Sequence, residues 1–283
     1  MSVSEHDFNY VSALVAQLSA IVLEPGKEYL VETRLEPLVY KEGYDTISDL
    51  IEKLKAPGCP ASLMDKVVDA LTTNETSFFR DIHPFETLKT EIIPELIKRN
   101  EATRKIQIWN AACSTGQEPY TLAMMIRENF PQLNDWNIEI LATDISSEVL
   151  AKAQKGSFSQ LEVNRGLPAI YLLKYFSKGP NETWQIKDEV KDMIVFKKLN
   201  LIEAWGIMPL YDIIMLRNVM IYFDNEKKKQ ILDNMCRCLH PEGYLFLGTA
   251  ETTLNLNNTL RSATYGNGKT IIFRKMLAAQ AAS

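Results

Sequence analysis

The sequence predicts a doubly wound α/β domain, preceded by a small all-α module and interrupted by a short antiparallel insert. Three observations carry this. From residue 84 onward, strand-like apolar runs alternate with helical patterns, as in a parallel sheet wound with helices. Residues 1–72 show helical periodicity alone. Around residues 156–192, Gly156, Gly166, Pro168, Gly179 and Pro180 interrupt the alternation.

In the first module, apolar residues recur at helical spacing in four groups, led by Phe8, Leu30, Ile47 and Leu63. Pro25–Gly26 and Ala56–Pro57–Gly58 mark breaks, and Pro37 is expected to kink or end the second helix. Lys27, Arg34 and Lys41, spaced by seven, share one edge of that helix. The edge either meets an acidic helical partner or is an ordinary solvated face. Residues 73–83 read as a linker, an odd one because Phe78, Phe79 and Arg80 stand together in it. Either it lies ordered over a site, or the two rings pin the modules together while Arg80 caps a helix.

Residues 84–283 form the α/β domain, with a helix over 84–98 leading into its centre. The central stretch is 106–124: a buried strand (Ile106, Ile108, Trp109), a turn of small residues (Ala111 to Gly116), then a helix. Small side chains let a ligand approach the backbone, and the first turn of the helix offers free N–H groups. Asn137–Thr143 reads as a second strand ending at Asp144, placed either to accept hydrogen bonds from a ribose diol or to cap the helix from Ser146. Only Gly116 stands where dinucleotide folds carry three glycines, which disfavours a nicotinamide cofactor and leaves S-adenosylmethionine (SAM) methyltransferases as the better pattern. After the insert come strands at 193–199 and 211–216, the latter delivering Arg217 and Asn218 to its carboxyl end with Tyr222 close behind. A helix over 225–239, a strand at 244–248 and a hairpin over 264–273 around Asn267–Gly268 complete the order. Gly268–Lys269–Thr270 imitates the end of a phosphate loop, but the earlier glycine would fall at Ala263.

Net charge is −5 and the pI about 5.4, so no wholesale nucleic-acid binding is expected. No apolar run is long enough for a membrane span and the N-terminus lacks a signal peptide's pattern, so a cytoplasmic protein without direct membrane insertion is expected. Cys59, Cys113, Cys236 and Cys238 form neither a zinc pattern nor a disulfide framework.

Five segments in order, NETSFFRD (74–81), WNAACSTGQEPYTLAM (109–124), LATD (141–144), LNL (199–201) and LRNVMIYFD (216–224), resemble the chemotaxis receptor methyltransferases, the CheR family. The resemblance covers nearly the whole chain. It implies a Rossmann-like SAM-dependent methyltransferase domain with an inserted antiparallel β-subdomain behind a helical receptor-recognition domain. It also implies SAM-dependent esterification of glutamates on the cytoplasmic helices of chemoreceptors, with S-adenosylhomocysteine as product. By motif match, SAM contacts are expected from Asn74, Thr76, Arg80, Glu118, Asp144, Asn200, Leu201, Arg217 and Asn218, with Arg80 and Tyr222 as the catalytic residues nearest the methyl group. No metal is implied, and a monomer is expected. The sequence departs from the family at Ala112, where glycine is usual, and at Thr249–Ala250–Glu251, which keeps an acid and loses its serine. The short Lys178–Gly179–Pro180–Asn181 loop leads to the expectation that no receptor C-terminal pentapeptide is needed. Methylation of another protein or a small molecule, or a non-catalytic SAM-binding scaffold, are the alternatives.

Overall fold

The computed structural model describes residues 3–275; residues 1–2 and 276–283, the outer ends of the predicted domains, lie outside the described residues. The first module packs α1 (Glu5–Ser19), α2 (Glu28–Glu42), α3 (Ile47–Lys55) and α4 (Ala61–Leu71) around a core that includes Val11, Val15, Leu35, Leu50 and Val67. Ser4 caps α1, and Thr46 with Asp49 forms a reciprocal capping box on α3, so local polar residues set where these helices begin. The helix does not end at Pro37, because α2 continues past it to Glu42. Pro37 and Thr33 are both exposed, so the Thr33 carbonyl that loses its helical donor is open to water instead of stranded in the core.

The larger domain opens with a continuous helical stretch, α5 (His83–Thr87), a π turn at Leu88–Ile92 and α6 (Ile93–Arg99). The order then runs β1 (Lys105–Ala111), α7 (Gln117–Asn129), β2 (Asn137–Asp144) and α8 (Ser147–Lys155). The insert comprises β3 (Ser157–Phe158), α9 (Gln160–Asn164), α10 (Ala169–Tyr175), β4 (Phe176–Lys178), β5 (Trp184–Ile186) and α11 (Asp188–Lys191). Its three strands make a separate antiparallel sheet, β3-β5-β4. The two short helices α9 and α10 escape sequence reading because they hold barely more than a turn or two each. The chain returns as β6 (Ile194–Lys198), β7 (Tyr211–Leu216), α12 (Asn225–Cys238), β8 (Leu239–Leu247), β9 (Leu260–Tyr265) and β10 (Thr270–Lys275).

The main sheet has seven strands in the order β6-β2-β1-β7-β8-β10-β9, parallel from β6 to β8, with β10 antiparallel to both β8 and β9. Side-chain alternation along β1 serves both faces: Ile106 and Ile108 join the core shared with α7, while Trp109 joins the core shared with α12. Strand order reverses between β1 and β7, and a crevice opens at the carboxyl ends there.

The two modules interlock beside that crevice. Val22 N–H donates to the Tyr222 carbonyl at 3.3 Å, Asn200 Nδ2 donates to the Leu18 carbonyl at 2.8 Å, and Lys198 pairs with Asp65 at 2.7 Å. The intervening linker is ordered. Phe78 is fully buried edge-on to Phe158 (5.0 Å) and Phe176 (5.9 Å) of the insert, and Phe79 lies 4.9 Å from Tyr171. Those contacts hold Phe79 and Asp81 in the left-handed region (φ 48° and 54°), which an unanchored linker would not sustain.

Candidate active site

Four strand ends and the linker bound one cavity of about 860 Å3, open mouth included. The turn after β1 supplies Ala112, Cys113 and Ser114; β2 ends at Asp144; β6 leads to Leu199, Asn200 and Leu201; β7 leads to Arg217 and Asn218. The linker adds residues 72–76 and Arg80. All ten residues named from sequence line this space: Asn74, Thr76, Arg80, Glu118, Asp144, Asn200, Leu201, Arg217, Asn218 and Tyr222.

The turn after β1 is built by backbone twist. Ala112 (φ 57°), Ser114 (φ 51°) and Gly116 (φ 94°) all take left-handed conformations, so Ala112 differs from the usual glycine by backbone strain as well as by one methyl. Cys113 N–H donates to the Thr143 carbonyl (2.9 Å) and Ser114 N–H to Asp144 Oδ2 (2.8 Å), tying the turn to the end of β2. The other carboxylate oxygen of Asp144 accepts Ser146 N–H at 3.0 Å. The cap of α8 is the Ser146 hydroxyl, bonded to Val149 N–H, so Asp144 braces the turns on either side of the cavity floor instead of capping that helix. Burial raises its carboxyl above the ordinary value of 3.8, against the backbone N–H groups of Ser146, Ser114 and Ile145, which favour the anion. Burial also pushes the neighbouring Cys113 thiol well above its ordinary range, so it stays a neutral packing group.

On the opposite wall Arg217 is a hub. Its side chain is 1% exposed; the guanidinium donates to Glu118, to Asp81 at 2.8 Å and to the Arg80 carbonyl at 3.0 Å, and lies over the Phe85 ring at 5.7 Å. Asn110 Nδ2 reaches the other Glu118 oxygen at 2.7 Å. The first turn of α7, the end of β7 and the linker are thus joined through one cation. Arg80 itself is half-exposed and donates to the Glu75 carbonyl at 2.9 Å, and Glu75 pairs with Arg165 of the insert. Arg80 caps no helix.

Several wall residues have no signal in the sequence. Ser19, the last residue of α1, and Ile21, just past its end, line the cavity because Ala20 turns the chain with φ 56°, and only the docking of the two modules brings them there. Ser114, whose hydroxyl donates to the Asn74 carbonyl at 2.9 Å, was findable as the polar member of the small-residue turn. Of the basic edge, Lys27 pairs with Glu24, and Arg34 turns inward to the Leu71 carbonyl (2.6 Å) and Thr73 (3.0 Å), fastening α2 to the linker. Lys41 lines a groove with Arg34, Lys66 and Lys152.

Residues 74–267 match the family described as CheR methyltransferase, SAM binding domain, and residues 6–72 match CheR methyltransferase, all-alpha domain. The chain belongs to the CheR methyltransferase family. This CheR chain is similar to chemotaxis protein methyltransferase 1 of Pseudomonas aeruginosa, 40% identical over 261 residues that cover 90% of this chain and 93% of that one. It is also similar to chemotaxis protein methyltransferase Cher2 of Pseudomonas putida, 39% identical over 256 residues (89% and 92% of the two chains). The chemotaxis protein methyltransferase of Borreliella burgdorferi is 32% identical over 271 residues, covering 94% and 95%.

As a CheR methyltransferase the protein uses SAM as its cofactor, and the cavity fits that molecule chemically. Ile21, Ile145, Leu199, Leu201 and Phe223 offer apolar wall of the kind a purine needs, and Glu118 and Asp144 offer carboxylate oxygens of the kind that ammonium and hydroxyl groups need. No group of histidines, cysteines and acids suited to hold a metal occurs among the described residues. Nor is any helix among them long and apolar enough to cross a membrane.

Proposed function

We propose that this methyltransferase acts in chemotaxis, transferring a methyl group from SAM to glutamate side chains on cytoplasmic chemoreceptor helices and releasing S-adenosylhomocysteine. In this reading the nine cavity residues Asn74, Thr76, Arg80, Glu118, Asp144, Asn200, Leu201, Arg217 and Asn218 hold SAM, with Asp144 accepting from the ribose hydroxyls. Bound SAM supplies an electrophilic methyl carbon on a sulfonium. The observation that carries the reading is the meeting of Arg80 and Tyr222 in one cavity with those acceptors, with no histidine in its wall to act as a base.

A glutamate carboxylate needs no base. With an ordinary pKa of about 4.3 it is anionic at neutral pH. Its oxygen forms the new bond to the methyl carbon as the carbon–sulfur bond breaks, and the electron pair stays on sulfur. Anion and cation give two neutral products, so an apolar site that strips water from both charges favours the step. Arg80 carries the paired donors to orient a carboxylate, and Tyr222 adds one neutral donor. The N-terminal module contributes Ser19 and Ile21 to the wall, which supports a part for it in receptor recognition.

We propose further that the enzyme works without a receptor C-terminal pentapeptide. The support is the brief connection from β4 to β5, residues 179–183.

The test uses methyl-labelled SAM with purified receptor cytoplasmic fragments. Label is expected in base-labile esters on those fragments, and Arg80→Ala should remove most of it while leaving the protein folded. Labelling of other proteins or of small molecules, with the receptor fragments untouched, would overturn the receptor assignment. Measurable affinity for the pentapeptide in titration would overturn the second proposal.

A further inference from the structure

The loop that follows β7 has to hold two cavity residues at once. Asn218 sits in the left-handed region with φ 58°, and a single 3-10 turn (Met220–Tyr222) then carries Tyr222 to the wall. The turn itself is closed by Tyr222 N–H on the Val219 carbonyl and Phe223 N–H on the Met220 carbonyl, both at 3.2 Å, and Val22 N–H holds the Tyr222 carbonyl from the other module, but none of these bonds reaches back to Asn218. The restraint comes from Glu251, in the segment after β8, which lines a neighbouring groove and not the cavity. Its Oε2 accepts Asn218 N–H at 2.9 Å and Gly248 N–H at 2.6 Å, and its Oε1 accepts Met220 N–H at 2.6 Å. One carboxylate thus takes backbone donors from both ends of the segment between Asn218 and the turn that bears Tyr222.

Gly248 makes room for this clamp. A Cβ there would lie 2.8 Å from Asn218 N, from Asn218 Nδ2 and from Glu251 Oε2. The glycine's φ is not in the left-handed region, so the requirement is space and not backbone freedom. Both oxygens of Glu251 act as acceptors, a pattern met fully only by a carboxylate. A carboxamide would turn its NH2 against a backbone N–H on one side.

We propose that Glu251 is a positioning residue for methyl transfer: it fixes Asn218 and, through the Met220–Tyr222 turn, the Tyr222 hydroxyl. This rests on the reading of Tyr222 as the donor facing the acceptor carboxylate. A displacement of about 1 Å at a reacting pair costs roughly a hundredfold in rate, so loss of one side of the clamp is expected to cost 10- to 100-fold.

The experiment measures kcat and KM with methyl-labelled SAM and a receptor cytoplasmic fragment, together with the calorimetric Kd for S-adenosylhomocysteine. Calorimetric stoichiometry counts folded sites, so kcat is expressed per competent site. In Glu251→Gln, kcat is expected to fall 10- to 100-fold and Kd to rise less than tenfold. Gly248→Ala, which leaves the carboxylate in place but crowds it, is expected to do the same. In the double variant Tyr222→Phe/Glu251→Gln the losses in kcat should be well short of multiplicative, because both act through one hydroxyl. Unchanged kcat per competent site in both Glu251→Gln and Gly248→Ala would overturn the positioning role, and so would fully multiplicative losses in the double variant. The premise fails separately: if Tyr222→Phe alone leaves kcat unchanged, the reading of Tyr222 is wrong whatever Glu251 does.

Discussion

Replacing Arg217 by methionine is expected to be among the most damaging single changes in the cavity wall, and its cost follows from what is left behind. Arg217 is 1% exposed and satisfies three acceptors. Breaking a buried ion pair by removing one partner costs about 3–5 kcal/mol, most of it the uncompensated charge. Glu118 is that charge here, at 13% exposure, but it keeps the Asn110 donor at 2.7 Å, which moves the cost to the lower end of the range. Asp81 is 44% exposed and adds little, since screened pairs contribute about 0–1 kcal/mol. The total is about 3 kcal/mol, and for a domain of this size that corresponds to a fall in Tm of roughly 6–12 °C. The assay is thermal and urea unfolding of Arg217→Met beside Asp81→Asn. Arg217→Met within about 1 kcal/mol of the parent, or Asp81→Asn equally costly, would refute the hub reading.

Asp144→Asn should weaken S-adenosylhomocysteine binding and flatten its pH dependence. Because the folded carboxyl is held above 3.8, binding that requires the anion strengthens as pH rises through the window above that value. The stability linkage has the opposite sign: a raised folded pKa means the folded state holds the proton more tightly, so stability falls as pH rises through the same window. Calorimetry and denaturation across acidic pH check both slopes. Phe78→Ala should cost roughly 3–5 kcal/mol by opening the buried aromatic cluster that anchors the linker, read by unfolding. Gly166→Ala should damage the same joint, since its φ is +90° and a Cβ would meet the Phe78 carbonyl at 2.1 Å; susceptibility of the linker to proteolysis reports it. Ala112→Gly should be neutral or stabilising by up to about 1 kcal/mol despite its position at the site, because φ 57° suits glycine. A clear loss of stability there would contradict the strain assignment.

Much of the chain could be read without coordinates because its signals are local. The periodicities of α1 to α4, the small-residue turn after β1 and the acid closing β2 each depend on neighbours in sequence, and the motif segments sit where strand ends must fall in a doubly wound sheet. Pro37 misleads for the same reason: the local rule omits that an exposed helix face lets water take the orphaned carbonyl.

Composition, hydrophobic period and motif order determined a helical module, a linker and a wound sheet with an insert, and named ten residues that line one cavity. They could not supply contacts between segments far apart in the chain. Ser19 joins the cavity wall only because the modules dock, and the Arg217 hub and the Glu251 clamp on the loop after β7 form only because the sheet brings β1, β7 and β8 side by side. Hydrogen-bond partners separated by 33 residues (Asn218 and Glu251) or 137 (Arg80 and Arg217) leave no mark on local pattern, and tertiary packing alone decided them.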